Sequence, residues 1–217
     1  MGYGIQMEVW GDYALFTRPE MKVERVSYDV MTPSAARGLL EAIYWKPAIR
    51  WVIDSIAVCA PVRFTNIRRN EQSQKINCHR IQEAADRGKL PAPIYTTENI
   101  QQRAGLLLKD VRYVIAAHFE LTSKAGPDDT DEKHYNIALR RIRKGQCYHR
   151  PCFGCREFPA SFRLWEGGAP PAIPEDRELG YMLYDMDYSN AREVKPMFFR
   201  ARLVRGVLHT ADCEVVR

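Results

Sequence analysis

The sequence predicts an α+β fold, in which strands and two helices follow one another along the chain. Two observations support this prediction. Apolar residues recur at every second position in several segments, as in half-buried strands, and at helical spacing in two others. The chain has 217 residues, of which 46% are hydrophobic, and this is enough to form a packed core without disulfide bonds.

The first predicted strand lies within residues 4–16, where apolar and polar residues alternate from Ile5 to Val9. The loop that follows carries several cations, among them Lys22 and Arg25, beside an aromatic residue. Such a loop is either a solvated turn or a place where cations meet phosphates.

A helix is predicted between Thr32 and Tyr44, and it is the element with the clearest signals. Thr32 is a typical N-cap, and Pro33 suits the first helical position. Pro47 disfavours helical backbone at the residue before it, so the helix should end near Tyr44. Its last turn would then present a phenol, an indole and the ammonium of Lys46 together. On spacing alone, a core helix with a lysine reaching solvent is the favoured interpretation.

A second strand is predicted in residues 49–64, which are rich in β-branched and aromatic residues. The residues from about 65 to 105 contain many cations, few large apolar residues and no clear period. We therefore expect a basic excursion from the core that is mobile without its ligand, with a short helix in residues 79–89. Arg68 and Arg69 are its candidate phosphate contacts, and a merely solvated loop is the alternative.

The third strand is predicted from Val111 to Leu121, where alternate apolar residues share one face. Arg112, His118 and Glu120 fall on the other face. A sheet with helices on one side and a charged opposite face suits an RNA-reading platform, although many α+β sheets share this arrangement.

A second helix is predicted at about 132–144, with Asp131 as its N-cap. Lys133 and His134 would lie in its first turn, where free N–H groups and the positive end of the helix dipole favour a phosphate. Gly145 should end the helix. The arginines near this end are candidate RNA contacts: Arg140, Arg141 and Arg143.

A further strand is predicted in residues 156–165 and completes the split β-α-β order of a ferredoxin-like domain. The glycine- and proline-rich segment 167–178 is the clearest linker, and two β-rich segments follow it. We therefore place a ferredoxin-like domain at residues 1–166 and a C-terminal antiparallel β-sheet extension at 167–217.

Three cysteines and one histidine lie close together, at Cys147, His149, Cys152 and Cys155. The last two have the spacing of a zinc knuckle, so a structural zinc site is one interpretation. Four ligands packed so tightly, without a second distant pair, match the usual zinc patterns poorly. We therefore expect reduced thiols, no bound metal and no cofactor.

Composition and motifs exclude several classes of protein. No apolar run approaches the length of a membrane span, and the first residues lack the plan of a signal peptide, so we expect a cytoplasmic protein without a membrane partner. The net charge of +5 hints at a polyanionic partner without proving one. P-loop, Rossmann, zinc-protease and serine-hydrolase motifs are absent. What remains is Tyr44, Lys133 and His134, which are capable of metal-free phosphoryl chemistry on RNA.

Four stretches carry a resemblance to a known family: residues 9–47, EKHYNI at 132–137, RKGQ at 143–146 followed by GCREF at 154–158, and LGYMLYDMDY at 179–188. In them the sequence resembles CRISPR-associated proteins of the Cas-five family, in the d variant that serves the type I-C system. The resemblance implies an RRM-related N-terminal domain with a C-terminal β-sheet extension. It also implies an endoribonuclease that cleaves the CRISPR repeat transcript at the 3′ base of its hairpin without metal.

The resemblance assigns the family's catalytic tyrosine to Tyr44 and its lysine–histidine pair to Lys133 and His134. It implies that the protein stays on the 5′ handle of the mature guide RNA, with the backbone and large subunits of the interference complex as partners. The alternative is a catalytically silent subunit that only caps the handle, and binding of duplex DNA is compatible with either. The candidate RNA contacts are Lys22, Arg25, Lys46, Arg68, Arg69, Arg140, Arg141 and Arg143.

Overall fold

The computed structural model describes residues 3–21, 23–75, 77–90, 93, 95–190, 193–211 and 213–217. Within these ranges one sheet of ten strands forms the framework, with three α-helices. None of the helices in the described ranges has the length and apolar character needed to cross a bilayer. In chain order the elements are β1 (Ile5–Ala14), β2 (Arg25–Val26), α1 (Pro33–Ile43), β3 (Ile49–Val58), β4 (Phe64–Gln72), α2 (Cys78–Asp86), a 3-10 turn (Thr96–Glu98), β5 (Ile100–Leu121), α3 (Asp131–Arg143), β6 (Ser161–Leu164), β7 (Arg177–Asp187), β8 (Lys195–Val204), β9 (Val207–His209) and β10 (Val215–Val216).

The N-terminal part of the sheet has the strand order β3-β5-β1-β6, and each neighbouring pair is antiparallel. Helix α1 lies between β1 and β3 in the sequence, and α3 lies between β5 and β6. The two helices contact each other, so they lie on the same face of the sheet. This arrangement is the split β-α-β order of a ferredoxin-like domain, and the prediction of an α+β fold is confirmed.

Helix α1 begins as the sequence predicts. The Thr32 side chain accepts a hydrogen bond from the N–H of Ala35 at 3.2 Å, and Pro33 occupies the first turn. The helix ends at Ile43, and Tyr44 has an extended backbone with φ −149° and ψ 117°. The chain therefore turns sharply at Tyr44, one residue beyond the helix.

Helix α3 begins one position earlier than the sequence indicated. Its N-cap is Thr130 and not Asp131, because the Thr130 hydroxyl accepts the N–H of Lys133 at 3.2 Å. Asp131 and Glu132 then lie in the first turn, where their charges favour the positive end of the helix dipole. Gly145, at φ +63°, follows the helix as expected.

The basic excursion is a β-hairpin with a helix, which we name the arm: β4, α2 and residues 100–108 of β5. Strand β4 pairs with β5 from Phe64–Leu108 to Gln72–Ile100. The predicted start of the third strand at Val111 was therefore wrong, because β5 begins at Ile100. The short helix predicted in residues 79–89 is confirmed as α2.

The C-terminal strands extend the same sheet. Strand β9 pairs with β3, and β8 pairs with β7, β9 and β10. The linker is fixed at Val58, whose carbonyl accepts the N–H of Ile173 at 2.8 Å. Gly206, at φ +75°, lies against this linker, and a Cβ there would lie 2.1 Å from the Ile173 oxygen. A domain boundary at residue 166 stays a prediction.

Candidate active site

Tyr44 and His134 lie in direct contact, although 90 residues separate them in the sequence. The Tyr44 hydroxyl is 2.7 Å from Nδ1 of His134. The extended backbone after α1 directs Tyr44 inward, and His134 lies in the first turn of α3. Both are buried, with exposed fractions of 2% and 1%. The imidazole also packs edge-on against Phe119 of β5, with 6.2 Å between ring centroids.

Three contacts fix Tyr44 in place. The indole N–H of Trp51 donates to the Tyr44 carbonyl at 2.8 Å. Arg141 donates to the carbonyl of Ile43 at 2.8 Å, and its guanidinium lies 5.2 Å from the centre of the Tyr44 ring. Burial raises the pKa of the Tyr44 hydroxyl above its ordinary value, although Arg141 acts in the opposite direction. The phenol is therefore uncharged at neutral pH.

Asp129 lies on the other side of the imidazole. Its Oδ1 is 3.2 Å from the Lys133 ammonium and also 3.2 Å from Nε2 of His134. The contact with Nε2 is misaligned, so in the described part of the chain this atom is a buried polar group without a hydrogen-bond partner. The Gly126 N–H, which donates to Oδ2 at 3.0 Å, and the Lys133 ammonium hold the pKa of Asp129 below its ordinary value.

The three residues predicted to be catalytic thus have different surroundings. Tyr44 and His134 touch, whereas Lys133 is 46% exposed in its side chain and is held near them through Asp129. Asp129 was missed by the sequence reasoning. Its one sequence signal is the i,i+4 spacing to Lys133, which is typical of helical ion pairs.

The end of α1 differs from the expectation. A phenol, an indole and an ammonium were expected to be presented together, but only two of them are exposed. Trp45 is 53% exposed and Lys46 is exposed, whereas Tyr44 is buried. The expectation was wrong for Tyr44 because the chain leaves the helix at that residue and turns it into the core.

Some of the predicted RNA-contacting cations are open to solvent. Lys46, Arg68 and Arg140 are exposed, and in the described ranges their side chains make no ion pair. Arg143 is also exposed, but it pairs with Glu166 at 2.8 Å. Lys22 lies outside the described residues.

The other predicted cations are engaged within the protein. Arg25 of β2 lies 3.4 Å from Glu71 of the arm. Arg69 pairs with Glu157, and this hydrogen bond raises the pKa of its guanidinium. Arg141 is half-buried and directed toward α1, so the geometry favours an RNA contact there less than at exposed Arg140, and that contact stays untested. Its guanidinium contacts the backbone carbonyl of Ile43 and the ring of Tyr44.

The face of the sheet opposite the helices is charged, as predicted, but its charges are paired. Glu8 is only 1% exposed and forms ion pairs with Arg112 and Arg163. The distance from Nδ1 of His118 to Oδ1 of Asp54 is 2.8 Å. These pairs lower the number of unpaired cations that this face can offer to RNA.

The cysteine cluster is partly exposed. In the described part of the chain the cysteines form no disulfide bond, and no group of three His, Cys, Asp or Glu side chains gathers as a metal site. Burial raises the pKa of the Cys152 and Cys155 thiols. A zinc-free protein stays a prediction, which elemental analysis would test.

Comparison with known proteins places this chain in a family. The family model described as CRISPR-associated protein (Cas_Cas5), in its Cas5d form, matches residues 4–210. Two structures share the fold at 22% identity and cover all of this chain. They are a CRISPR-associated protein, with a TM-score of 0.70 over 97% of that chain, and the functionally uncharacterized protein SMU1763c from Streptococcus mutans, with 0.69 over 98%.

Two relatives match nearly the whole sequence. The CRISPR pre-crRNA endoribonuclease Cas5d of Mannheimia succiniciproducens is 51% identical over 216 residues, which are 96% of this chain and 95% of the relative. The protein of the same name from Thermus thermophilus is 38% identical over 221 residues, with 94% and 90% covered. The chain therefore belongs to the Cas5d family of CRISPR-associated proteins.

Proposed function

We propose that this protein is a CRISPR pre-crRNA endoribonuclease that cleaves the repeat transcript at the 3′ base of its hairpin by metal-independent acid–base chemistry. The observation that supports this function is the 2.7 Å contact between Tyr44 and His134. Two relatives, at 51% and 38% identity, carry the name pre-crRNA endoribonuclease.

The chemistry needs one group to take a proton and one to give it. In RNA cleavage the 2′-oxygen forms a bond to the adjacent phosphorus, the bond from phosphorus to the 5′-oxygen breaks, and a proton moves from the first oxygen to the second. Tyr44 and His134 can exchange a proton along their hydrogen bond, so together they can act as base and then as acid. The Lys133 ammonium can stabilise the charge on the phosphoryl oxygens.

RNA must reach two buried groups. Tyr44 and His134 are almost fully covered, whereas the Lys133 side chain is 46% exposed. We infer that the scissile phosphate first meets Lys133, near the positive end of the α3 dipole. Neighbouring groups then move to uncover Tyr44 and His134.

The burial of Tyr44 and His134 also supports a second candidate function. A subunit that holds the 5′ handle of the guide without cutting would need no access to these side chains. In either function the partners are repeat RNA, mature guide RNA and the other subunits of the type I-C interference complex. Duplex DNA would meet the same exposed cations, and a competition assay between RNA and DNA would separate the two ligands.

Purified protein incubated with labelled repeat RNA in excess EDTA tests the proposal. We expect one cut at the 3′ base of the hairpin at an undiminished rate. The control is an RNA with a 2′-deoxynucleotide at the scissile position, which removes the attacking oxygen and should bind without being cut. Loss of cleavage on chelation, restored by magnesium, would contradict metal independence. Binding without cleavage in EDTA and in magnesium would favour the handle-binding subunit.

A further inference from the structure

One carboxylate contacts two of the three proposed catalytic residues. Oδ1 of Asp129 lies 3.2 Å from the Lys133 ammonium and 3.2 Å from Nε2 of His134. The Gly126 N–H donates to the other oxygen at 3.0 Å, so the backbone orients the carboxylate. Lys133 also donates to the backbone carbonyl of Asp128 at 3.1 Å, which fixes the ammonium from a second direction.

The hydrogen bonds of His134 indicate which nitrogen carries its proton. Nδ1 faces the Tyr44 hydroxyl at 2.7 Å, and Tyr44 keeps its own proton because burial raises its pKa. The Tyr44 hydroxyl has no other acceptor among the described contacts, and the Asp129 carboxylate lies 3.2 Å from Nε2, so the phenol donates to Nδ1 and Nε2 carries the imidazole proton. That N–H faces Asp129 and has no other acceptor among the described residues. A small rotation of the carboxylate would complete the hydrogen bond.

We propose that Asp129 is a positioning residue, which holds Lys133 beside His134 and keeps the imidazole in the Nε2–H tautomer. The catalytic meaning of this inference rests on the proposed function. In cleavage, the 2′-hydroxyl proton passes to the Tyr44 oxygen as the Tyr44 proton passes to Nδ1. The imidazolium that forms then lies beside a carboxylate, as in other Asp–His pairs. The reverse transfer delivers a proton to the departing 5′-oxygen, and the groups return to their starting states.

The tautomer of His134 can be measured in the resting protein by ¹⁵N NMR of labelled imidazoles, with His134→Gln used to assign the signals. We expect the Nε2–H form in the wild type and a mixture of tautomers in Asp129→Ala. Asp128→Ala is the matched control, because among described contacts its side chain touches neither Lys133 nor His134, and it should resemble the wild type. An unchanged tautomer in Asp129→Ala would overturn the inference.

Single-turnover cleavage at saturating protein tests the catalytic part. Asp129→Ala should slow cleavage by about tenfold or more, while the half-saturating protein concentration changes by less than about twofold. Asp129→Asn, whose carbonyl can still accept from Nε2, should keep the tautomer but also slow cleavage because Lys133 loses its ion pair. If Asp129→Ala does not fold, the cleavage rate of Asp129→Asn still tests the positioning role.

The outcomes separate this inference from the proposed function. If the wild type cuts RNA and both Asp129 variants cut at the same rate, the positioning role is refuted and the nuclease stands. If the wild type cuts no repeat RNA, the nuclease is refuted, and the tautomer of Asp129→Ala alone decides the role of Asp129. A mixture of tautomers in Asp129→Ala would support the positioning role, and an unchanged Nε2–H form would overturn it.

Discussion

The hydroxyl of Tyr44 lies 2.7 Å from Nδ1 of His134, with each residue held at the end of a different helix. Tyr44 is the C-cap of α1, and His134 lies in the first turn of α3. Because the two helices pack on the same face of the sheet, this distance is set by the core and not by a flexible loop. Substitutions at either residue should therefore affect stability as well as chemistry.

The variants Tyr44→Phe, Lys133→Ala and His134→Ala should each slow single-turnover cleavage by about a hundredfold or more, because each removes a group that acts in the transition state. Binding of repeat RNA should change by no more than a few-fold. Tyr44→Phe should also cost about 1 kcal/mol of unfolding free energy, since it leaves Nδ1 of His134 without its partner.

His118→Ala is the control for these variants, because His118 also pairs with an aspartate, at 2.8 Å, but lies away from Tyr44 on the charged sheet face. It should cut at the wild-type rate. If one of the three variants cuts at the normal rate, the residue that it replaces has no role in catalysis. If all three variants also bind RNA poorly, the cluster is a binding site instead.

Neighbouring arginines in α3 should differ in their roles. Arg141→Ala should lower the unfolding free energy by about 1–3 kcal/mol, since it loses the hydrogen bond to Ile43 and the contact with the Tyr44 ring. RNA binding by Arg141→Ala should depend on salt concentration as it does in the wild type. Arg140→Ala should leave stability unchanged and reduce the salt slope by about 0.7. Urea unfolding and binding titrations at several salt concentrations measure both, and equal salt slopes in the two variants would refute this distinction.

The cleaved 5′-handle strand should stay bound, so that turnover stops near one equivalent of RNA. We expect RNA binding and RNA cleavage to depend on different residues, because exposed Arg68 is in the arm and Tyr44 is in the core. Arg68→Ala combined with Arg69→Ala should therefore flatten the salt slope of binding while the saturating cleavage rate hardly changes. Rapid release of the handle strand at moderate salt would indicate a free-standing processing enzyme.

Glu8→Gln should destabilise the protein at neutral pH by about 1–3 kcal/mol, and less in acid. Burial opposes ionisation of Glu8, but hydrogen bonds from Arg163 and Arg112 hold its pKa below the ordinary value. Because the pKa of Glu8 is lower in the folded protein than in the unfolded chain, its ionised form stabilises the fold at pH values above the unfolded pKa of about 4.3. This stabilisation is lost as the pH falls through the folded pKa. Urea unfolding of both proteins between about pH 3 and pH 7 measures the difference. A difference that stays constant across this range would contradict the prediction.

The sequence predicts those elements whose side chains are buried on one face. Helix α1 shows both its cap at Thr32 and its apolar spacing, so its bounds follow directly. Strand β4 buries none of its side chains, and therefore carries no alternation from which a strand could be recognised. The contact of Tyr44 with His134 depends on the packing of distant helices, so local spacing cannot reveal it. The chemistry of the side chains and the family resemblance named both residues, but neither could place them in contact.

Strand β5 gives the arm a mechanical connection to the core. It spans 22 residues, with Asp110 at φ +54° between its halves, and it pairs first with β2 and β4 and then with β1 and β3. Leu108 pairs with both Ala14 and Phe64 where the two halves meet. A pulling force on the tip of the arm would act along β5, so the hydrogen bonds between β5 and its partner strands would bear it together. Strand β5 would thus connect the arm to Phe119 near its other end, the residue that packs against His134.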